Sequence, residues 1–174
     1  MTGGGSSIPE VQALLRVLAA GRRCAEVGTA FGEGAAAMSD TAASLVTVEI
    51  DDERAVIARE RLRGRENVEL LLGDWRELLP PRAPFELMFF DGGRFESAAD
   101  AIHLVAAGGL LVKDDLTPDR PGLDPVRELL FGHPELVAVE ILTTLQTAAI
   151  VAAKREARSR GAASVRSESE PHPM

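Results

Sequence analysis

Apolar and polar residues alternate along the chain with two different periods. Five short apolar runs each close at a glycine or an acidic residue, which is typical of buried strands; they read RCAEVG, LVTVEID, VELLLGD, FELMFFDG and GLLVKDDL. Between them, IPEVQALLRVLAAG, DDERAVIARERLRG and ESAADAIHLVAAGG carry apolar residues on one helical face and end on glycine. This alternation predicts a parallel sheet with helices on both of its faces.

The pattern changes after the fifth strand. TPDRPGLDPVRELLFGHPE predicts a loop and a helix, whereas the last two apolar runs, LVAVEILTT and QTAAIVAAK, have no helix between them. These two runs pair most simply as an antiparallel hairpin at the edge of the sheet. We therefore predict an α/β protein with a Rossmann-like, doubly wound, seven-stranded sheet that is mostly parallel and carries an antiparallel C-terminal edge hairpin.

The length of 174 residues fits one domain with a single core. Residues 1–20 are predicted to form an N-terminal tail and helix, and residues 21–155 the domain itself. From residue 156 the sequence EARSRGAASVRSESEPHPM loses all apolar periodicity, which predicts a disordered tail over residues 156–174.

Charge and composition narrow the possible partners and location. The net charge of −8 and the absence of tyrosine argue against a nucleic-acid-binding surface. No apolar run reaches the roughly 20 residues that cross a bilayer, and the N-terminus lacks the pattern of a signal peptide. Cys24 is the only cysteine, so no intramolecular disulfide forms. We predict a cytoplasmic protein in which Cys24 is a buried structural thiol.

The stretch AEVGTAFGEGA, residues 25–35, follows a predicted strand and opens a predicted helix. Glycines in this position allow positive φ angles and a close approach of the backbone to a nucleotide. The spacing here is G-x-x-x-G-x-G, which differs from the G-x-G-x-x-G of dinucleotide-binding turns. A nicotinamide-dependent dehydrogenase therefore stays open as an alternative that the spacing disfavours.

Acidic residues end the strands that follow this loop. Glu49 closes the second strand about twenty residues on, where a carboxylate can accept hydrogen bonds from both hydroxyls of a ribose. Asp74 and Trp75 follow the third strand. Because ligands of doubly wound sheets bind beyond the carboxyl ends of the strands, these residues are predicted to face one crevice.

Together, AEVGTAFGEGA, VTVEIDDERAVIARERL, VELLLGDW, FELMFFDGG and LVAAGGLLVKDDL resemble the successive motifs of class I S-adenosylmethionine-dependent methyltransferases. The resemblance covers roughly residues 10–154. Within that superfamily the chain looks most like the bacterial and plant O-methyltransferases related to catechol and caffeoyl-CoA O-methyltransferases. The resemblance implies methyl transfer from S-adenosylmethionine to a hydroxyl of a small molecule, and a possible homodimer.

The resemblance also implies roles for individual residues. Glu49 would bind the ribose hydroxyls and Ile50 would pack near the adenine. Asp74 would accept a hydrogen bond from the adenine amino group, with Trp75 beside the ring, and Asp91 would lie close to the reacting methyl group. The amino-acid and sulfonium part of the cofactor would be held by the glycine loop and its support, which comprise Glu26, Gly28, Thr29, Ala30, Phe31, Gly32 and Gly34.

Three aspartates follow the fourth and fifth strands, and parallel topology places them at the same edge of the sheet. They are Asp91, Asp114 and Asp115. Oxygen-rich clusters of this kind suit magnesium or calcium, which could bind two neighbouring substrate oxygens and lower the pKa of a hydroxyl. The resembling enzymes have an Asp-Asn pair where this chain has Asp114 and Asp115. The alternative is that these aspartates are only a solvated strand end.

The chain differs from the resembling enzymes at the position of their catalytic base. The resembling enzymes carry D-A-D-K after the fourth strand, and their lysine deprotonates the acceptor, whereas this chain reads Asp91-Gly92-Gly93-Arg94. Arg94 stays protonated and is a poor base, but it could orient an acidic substrate or stabilise a phenolate. A solvated Arg94 and a catalytically idle cofactor-binding or scaffold protein are the alternatives. His103 and His133 are predicted to be packing or surface residues.

Overall fold

A computed structural model of the protein describes residues 7–92, 98–118, 120, 122 and 124–156. Its strands are β1 Arg23–Val27, β2 Ser44–Glu49, β3 Val68–Leu72, β4 Phe85–Phe90, β5 Val105–Leu116, β6 Leu136–Leu142 and β7 Ala148–Lys154. Its helices are α1 Pro9–Ala19, α2 Glu33–Ser39, α3 Asp52–Arg61, α4 Trp75–Leu78, α5 Ala98–Leu104 and α6 Pro125–Gly132, with a 3₁₀ turn at Pro80–Arg82.

The strands form one sheet in the order β3-β2-β1-β4-β5-β7-β6. Strands β1 to β5 run parallel to one another, and β7 pairs antiparallel with both β5 and β6. The predicted fold class is confirmed, including the C-terminal edge hairpin. The order of the chain reverses at β1, between β2 and β4, which is the point where doubly wound sheets bind their ligands.

Successive residues of each central strand point into different cores. Cys24 and Phe89 belong to a cluster with α1 and α2, whereas Ala25 and Phe90 belong to a cluster with α5 and α6. Both faces of the sheet are therefore covered by helices, as the near-continuous apolar runs of the strands require.

Aspartates begin three of the helices that follow strands or loops. Asp51, Asp74 and Asp124 accept hydrogen bonds from backbone N–H groups in the first turns of α3, α4 and α6. Such N-caps contribute about 1 kcal/mol each. They fix where each helix starts, and for α3 and α4 this start lies at the carboxyl edge of the sheet.

The boundary between α5 and β5 differs from the prediction. The pattern extends the helix to the double glycine, but α5 ends at Leu104 and β5 begins at Val105. Val105 pairs with Phe85 and Leu110 with Leu87, so the glycines lie in an irregular stretch of strand where the register shifts. Gly108, with φ of 75°, serves this bulge and is not the end of a helix.

Helix α4 was not predicted because four residues are too few to show a helical period. The expected disordered tail lies outside the described residues except for Glu156. Among the described helices, none has the length and apolar character that crossing a membrane requires.

Candidate active site

The glycine loop after β1 is a turn that is hydrogen-bonded to β2. The N–H groups of Gly28 and Thr29 both donate to the carbonyl oxygen of Val48, at 3.0 and 3.2 Å. Three of its residues have left-handed backbones: Gly28 and Gly32 at φ of 87°, and Ala30 at 48°. For Ala30 that conformation costs on the order of 1 kcal/mol or more, so the surrounding contacts must hold it.

Gly28 and Gly32 also pack closely against neighbouring elements, in addition to their positive φ angles. A Cβ on Gly28 would lie 2.7 Å from the backbone of Gly92, because the chain after β4 runs directly against the loop. A Cβ on Gly32 would lie 3.4 Å from Cα of Ala58 and 3.3 Å from Cδ of Arg61 on α3. The loop thus packs between the end of β4 and the residues of α3 around Ala58 and Arg61.

Gly34 faces the interior, where a Cβ would lie 2.5 Å from a carboxyl oxygen of Glu26. Glu26 is fully buried, and its carboxyl accepts a hydrogen bond from Thr47 at 2.5 Å, while Thr47 also bonds to Thr29. Burial raises the pKa of Glu26 well above its usual range. These contacts support the loop from the interior of the protein. The predicted cofactor contact of Gly34 stays a prediction.

Glu49 joins the loop to the end of β2. Its Oε2 accepts a hydrogen bond from the N–H of Ala30 at 2.7 Å, and its Oε1 accepts from the N–H groups of Ile50 and Asp51 at 2.9 and 3.0 Å. Three of the roughly four acceptor positions of a carboxylate are therefore used by the backbone. Ribose hydroxyls would share these oxygens with the loop, and ribose binding by Glu49 stays a prediction.

The predicted adenine side is partly apolar and open. Ile50 is 76% exposed at the end of β2. Asp74 accepts hydrogen bonds from the backbone and guanidinium of Arg76, which lower the pKa of its carboxyl. Trp75 is buried and meets Phe90 edge-to-face at 5.6 Å, so it is mainly a core residue. The adenine contacts of Ile50, Asp74 and Trp75 stay predictions.

The structure brings the three predicted aspartates together beyond β4 and β5. One carboxylate oxygen each from Asp91, Asp114 and Asp115 lie within 4.8 Å of one another. Asp114 is 2% exposed, and its Oδ1 has no hydrogen-bond partner among the described residues, with Lys113 Nζ at 3.7 Å. Asp115 is exposed and has a left-handed φ of 58° within the bulge of β5.

Burial and mutual repulsion change the protonation of this cluster. Burial, followed by the negative charge of Asp114, raises the pKa of Asp91 to about 8. Burial also raises the pKa of Asp114, although Lys113 opposes the shift. Two carboxyls this close cannot both ionise readily. Asp91 therefore keeps its proton at neutral pH unless a cation binds.

Arg94 lies outside the described residues, so its predicted roles stay predictions. Histidine placement agrees with the sequence interpretation: His103 is exposed on α5, and Nδ1 of His133 accepts a hydrogen bond from the N–H of Glu135. Cys24 is buried as predicted, and its burial raises the pKa of the thiol to about 12.

Sequence reasoning missed the residues that support the loop from elsewhere. Thr47 carries a hydroxyl in an otherwise apolar strand, and that polar residue at a buried position was a usable signal. Arg61 had no such signal, because arginine on a charged helix normally faces solvent.

No family model matches the chain. It is 32% identical over 105 residues to a protein-L-isoaspartate O-methyltransferase of Koribacter versatilis, which covers 59% of this chain and 47% of that protein. It is also 32% identical over 111 residues to protein-L-isoaspartate O-methyltransferase 2 of a Polaromonas species, covering 61% of this chain and 53% of that one. The chain thus spans about half the length of these curated relatives.

Solved structures match over most of the chain. An O-methyltransferase from Bacillus cereus in complex with SAH superposes with a TM-score of 0.67 at 20% identity, over 86% of this chain and 83% of that one. A SAM-dependent O-methyltransferase from Thermotoga maritima gives 0.71 at 15% identity, over 91% and 70%. The chain has the class I methyltransferase fold. In this methyltransferase fold, the glycine loop and the three aspartates lie at the same carboxyl edge of the sheet.

Proposed function

We propose that this protein is an S-adenosylmethionine-dependent methyltransferase that methylates an oxygen atom of its acceptor. The observation that carries the proposal is the glycine loop held by Glu49 at the point where the strand order reverses. The isoaspartate O-methyltransferases among the relatives and the O-methyltransferases among the structural neighbours support it.

The described residues have separate tasks in this reaction. S-adenosylmethionine supplies an electrophilic methyl group on a positively charged sulfur. The glycine loop and Glu49 fix its orientation, and the buried carboxylates nearby favour a cation. Rate enhancement comes mainly from holding the acceptor oxygen in line and within about 3–3.5 Å of the methyl carbon.

We assign to Asp91 and Asp114 the role of accepting the proton that the acceptor hydroxyl loses. The methyl carbon changes its bond from sulfur to oxygen, and the hydroxyl proton leaves to a carboxylate. Because its pKa is raised to about 8, the ionised form of Asp91 is a stronger base than an ordinary aspartate. At neutral pH Asp91 already holds a proton, so the pair would accept the hydroxyl proton in the ionised form that prevails above about pH 8; Arg94 is unsuited to this role.

A divalent cation fits the same cluster. The buried Oδ1 of Asp114, which lacks a hydrogen-bond partner among the described residues, is the kind of atom that a metal would satisfy. Asp91, Asp114 and Asp115 would hold magnesium or calcium, because these ions prefer carboxylate oxygens. The ion would lower the pKa of the acceptor hydroxyl and orient it.

Two acceptor classes follow from different observations. The acidic cluster favours the hydroxyl of a small molecule, because it would repel an anionic acceptor. The names of the curated relatives favour a carboxyl group of a protein as the second candidate. A catechol or hydroxy acid and an isoaspartyl peptide therefore represent the two classes in a test.

Calorimetry with S-adenosylmethionine and S-adenosylhomocysteine tests the cofactor. We expect binding by the wild type and at least a roughly tenfold loss in Glu49→Gln, since an amide cannot replace a carboxylate that accepts three N–H bonds. Glu53→Gln, on the exposed side of α3, is the matched control and should bind normally. Absence of wild-type binding, or tight binding of NAD instead, contradicts the proposal.

Turnover tests the acceptor. Transfer of a labelled methyl group is measured with catechols, hydroxy acids and isoaspartyl peptides, each with magnesium and with EDTA. Magnesium-dependent methylation of a hydroxyl supports the leading acceptor and the metal, whereas peptide methylation in EDTA supports the second candidate. Cofactor binding without any turnover supports the idle scaffold.

A further inference from the structure

We propose that Arg61 is a positioning residue that holds the glycine loop in its cofactor-binding shape. This inference rests on the proposed function, because it assigns a support to the same site. The side chain reaches from the last residue of α3 to the loop. Its Nε donates to the carbonyl oxygen of Phe31 at 2.7 Å, and its Nη2 lies 2.6 Å from Oε1 of Glu33.

The second half of the loop, from Phe31 onwards, needs a support of its own. Glu49 fixes the loop through Ala30, and Val48 fixes it through Gly28 and Thr29, all before the turn reaches Phe31. The next residue, Gly32, again has a left-handed backbone. Arg61 bonds to one residue on each side of Gly32. It acts together with the hydrogen bond from the N–H of Gly32 to the carbonyl of Thr29, at 2.8 Å, and with Arg54, whose guanidinium lies 5.9 Å from the ring centre of Phe31.

The loop and the helix are shaped for this contact. The Cδ atom of Arg61 passes close to Gly32, where a Cβ would lie 3.3 Å from it. The guanidinium presents N–H groups in a rigid fork, so one side chain can bond a carbonyl and a carboxylate together. A lysine offers a single charged point and would satisfy both partners less well.

Arg61 also compensates the negative charge of Glu33. The Oε2 of Glu33 is buried without a hydrogen-bond partner among the described residues, so Arg61 is the cation that compensates the carboxylate. Removing Arg61 would leave this carboxylate poorly compensated in the first turn of α2. The loop and the start of α2 would then move to solvate it, away from the shape that Glu49 fixes.

The affinity for the cofactor depends on the fraction of molecules in which the loop has its cofactor-binding conformation. Apparent dissociation constants rise in inverse proportion to the fraction of molecules in the competent state, so a fall to about one tenth costs about tenfold. We expect Arg61→Met to bind S-adenosylhomocysteine about tenfold more weakly. The methyl transfer rate at saturating cofactor should stay within about twofold, because Arg61 does not touch the reacting atoms.

The experiment compares Arg61→Met, Arg61→Lys and Glu33→Gln with the wild type by calorimetry, melting temperature and steady-state kinetics. Arg63→Met is the matched control, because Arg63 lies two residues on and pairs with exposed Glu60. We expect a raised KM for the cofactor in Arg61→Met, partial recovery in Arg61→Lys and no change in Arg63→Met. Equal affinity in Arg61→Met and wild type, or a fall in kcat with unchanged KM, overturns the inference.

Hydrogen exchange separates this inference from the proposed function. In the ligand-free protein, Arg61→Met should raise amide exchange in residues 28–34 while leaving the strands protected. This result is independent of which ligand the protein binds. If the wild type fails to bind S-adenosylhomocysteine but the loop still loosens, the proposed function fails and the support by Arg61 stands. Unchanged exchange in the loop overturns the support itself.

Discussion

At the scale of single residues, burial decides what each ionisable group can do. The pKa of the Cys24 thiol is raised to about 12 and that of Asp91 to about 8, in both cases chiefly by burial. The consequences are opposite. Cys24 loses its reactive thiolate, whereas the carboxylate form of Asp91 becomes a better base.

Cys24 should therefore resist alkylation in the folded protein. At pH 8 a thiol with a pKa near 12 is ionised in only about one molecule in ten thousand, and the side chain is also inaccessible. Iodoacetamide followed by mass spectrometry should find no adduct after an hour, and one adduct in guanidinium chloride. Rapid stoichiometric labelling of the native protein would show that this part of the core opens readily.

The positions of residues that end strands were predictable from the sequence. The contacts of long side chains between distant segments were not. Glu49 and the three aspartates were found because strand ends converge on one edge by topology alone. The contact between Arg61 and Phe31 joins residues 30 apart and depends on the direction of a long side chain. No periodicity encodes that direction.

At the scale of elements, one arginine fastens α6 to the edge hairpin. The guanidinium of Arg127 makes two hydrogen bonds of 2.7 Å to the carboxylate of Glu140 on β6. It also pairs with Asp124, the residue that caps α6, and donates to the carbonyl of Thr117. The helix, its cap and β6 are thereby joined through a single side chain.

Glu140→Gln should weaken this junction in a pH-dependent way. The hydrogen bonds from Arg127 lower the pKa of Glu140 below its usual value. The stabilisation is therefore fully present above the unfolded pKa and is lost as pH falls through the folded pKa. We expect a loss of about 1 kcal/mol in unfolding free energy at pH 7, for a partly exposed bidentate pair, shrinking towards zero at acidic pH.

Urea unfolding at several pH values measures this difference. Glu135→Gln is the control, since Glu135 is more exposed and lies 3.9 Å from Lys154. A pH-independent loss in Glu140→Gln would mean that shape, and not charge, holds the junction.

Element boundaries were predictable where one chain segment sets them. The five parallel strand runs and the antiparallel edge hairpin follow from local pattern and from the lengths of the connections between them. The end of α5 was misplaced because the bulge in β5 is fixed by pairing with Phe85 and Leu87 on β4. Glycines mark both a helix end and a bulge, so the local sequence could not distinguish them.

At the scale of the whole molecule, acidic groups crowd one edge of the sheet. Glu26, Glu49 and Asp114 are buried there, and Asp91 is partly buried beside them. Most buried charges in proteins are paired; here the positive charge of Lys113 lowers the pKa of both Asp91 and Asp114, but burial outweighs it. The fold thus carries unfavourable electrostatic energy at the site it has shaped.

Asp114→Asn should therefore raise the stability of the ligand-free protein. Because burial raises the folded pKa of Asp114, ionisation at neutral pH opposes folding, and the penalty disappears at acidic pH. We expect a melting temperature higher by roughly 2–6 °C in EDTA at pH 7.5, with loss of methyl transfer. Asp115→Asn, at an exposed position, should change it little. A lower melting temperature for Asp114→Asn would contradict this account.

The crowded carboxylates also link the lifetime of the protein to its supply of ligands. A positively charged molecule bound at this edge relieves repulsion that the apolar core otherwise has to overcome, and anything that binds only the folded state stabilises it. Molecules that lack such a ligand should open more often, and proteases act on the open form. Abundance in a cell would then follow cofactor concentration even when the gene is expressed at a constant rate.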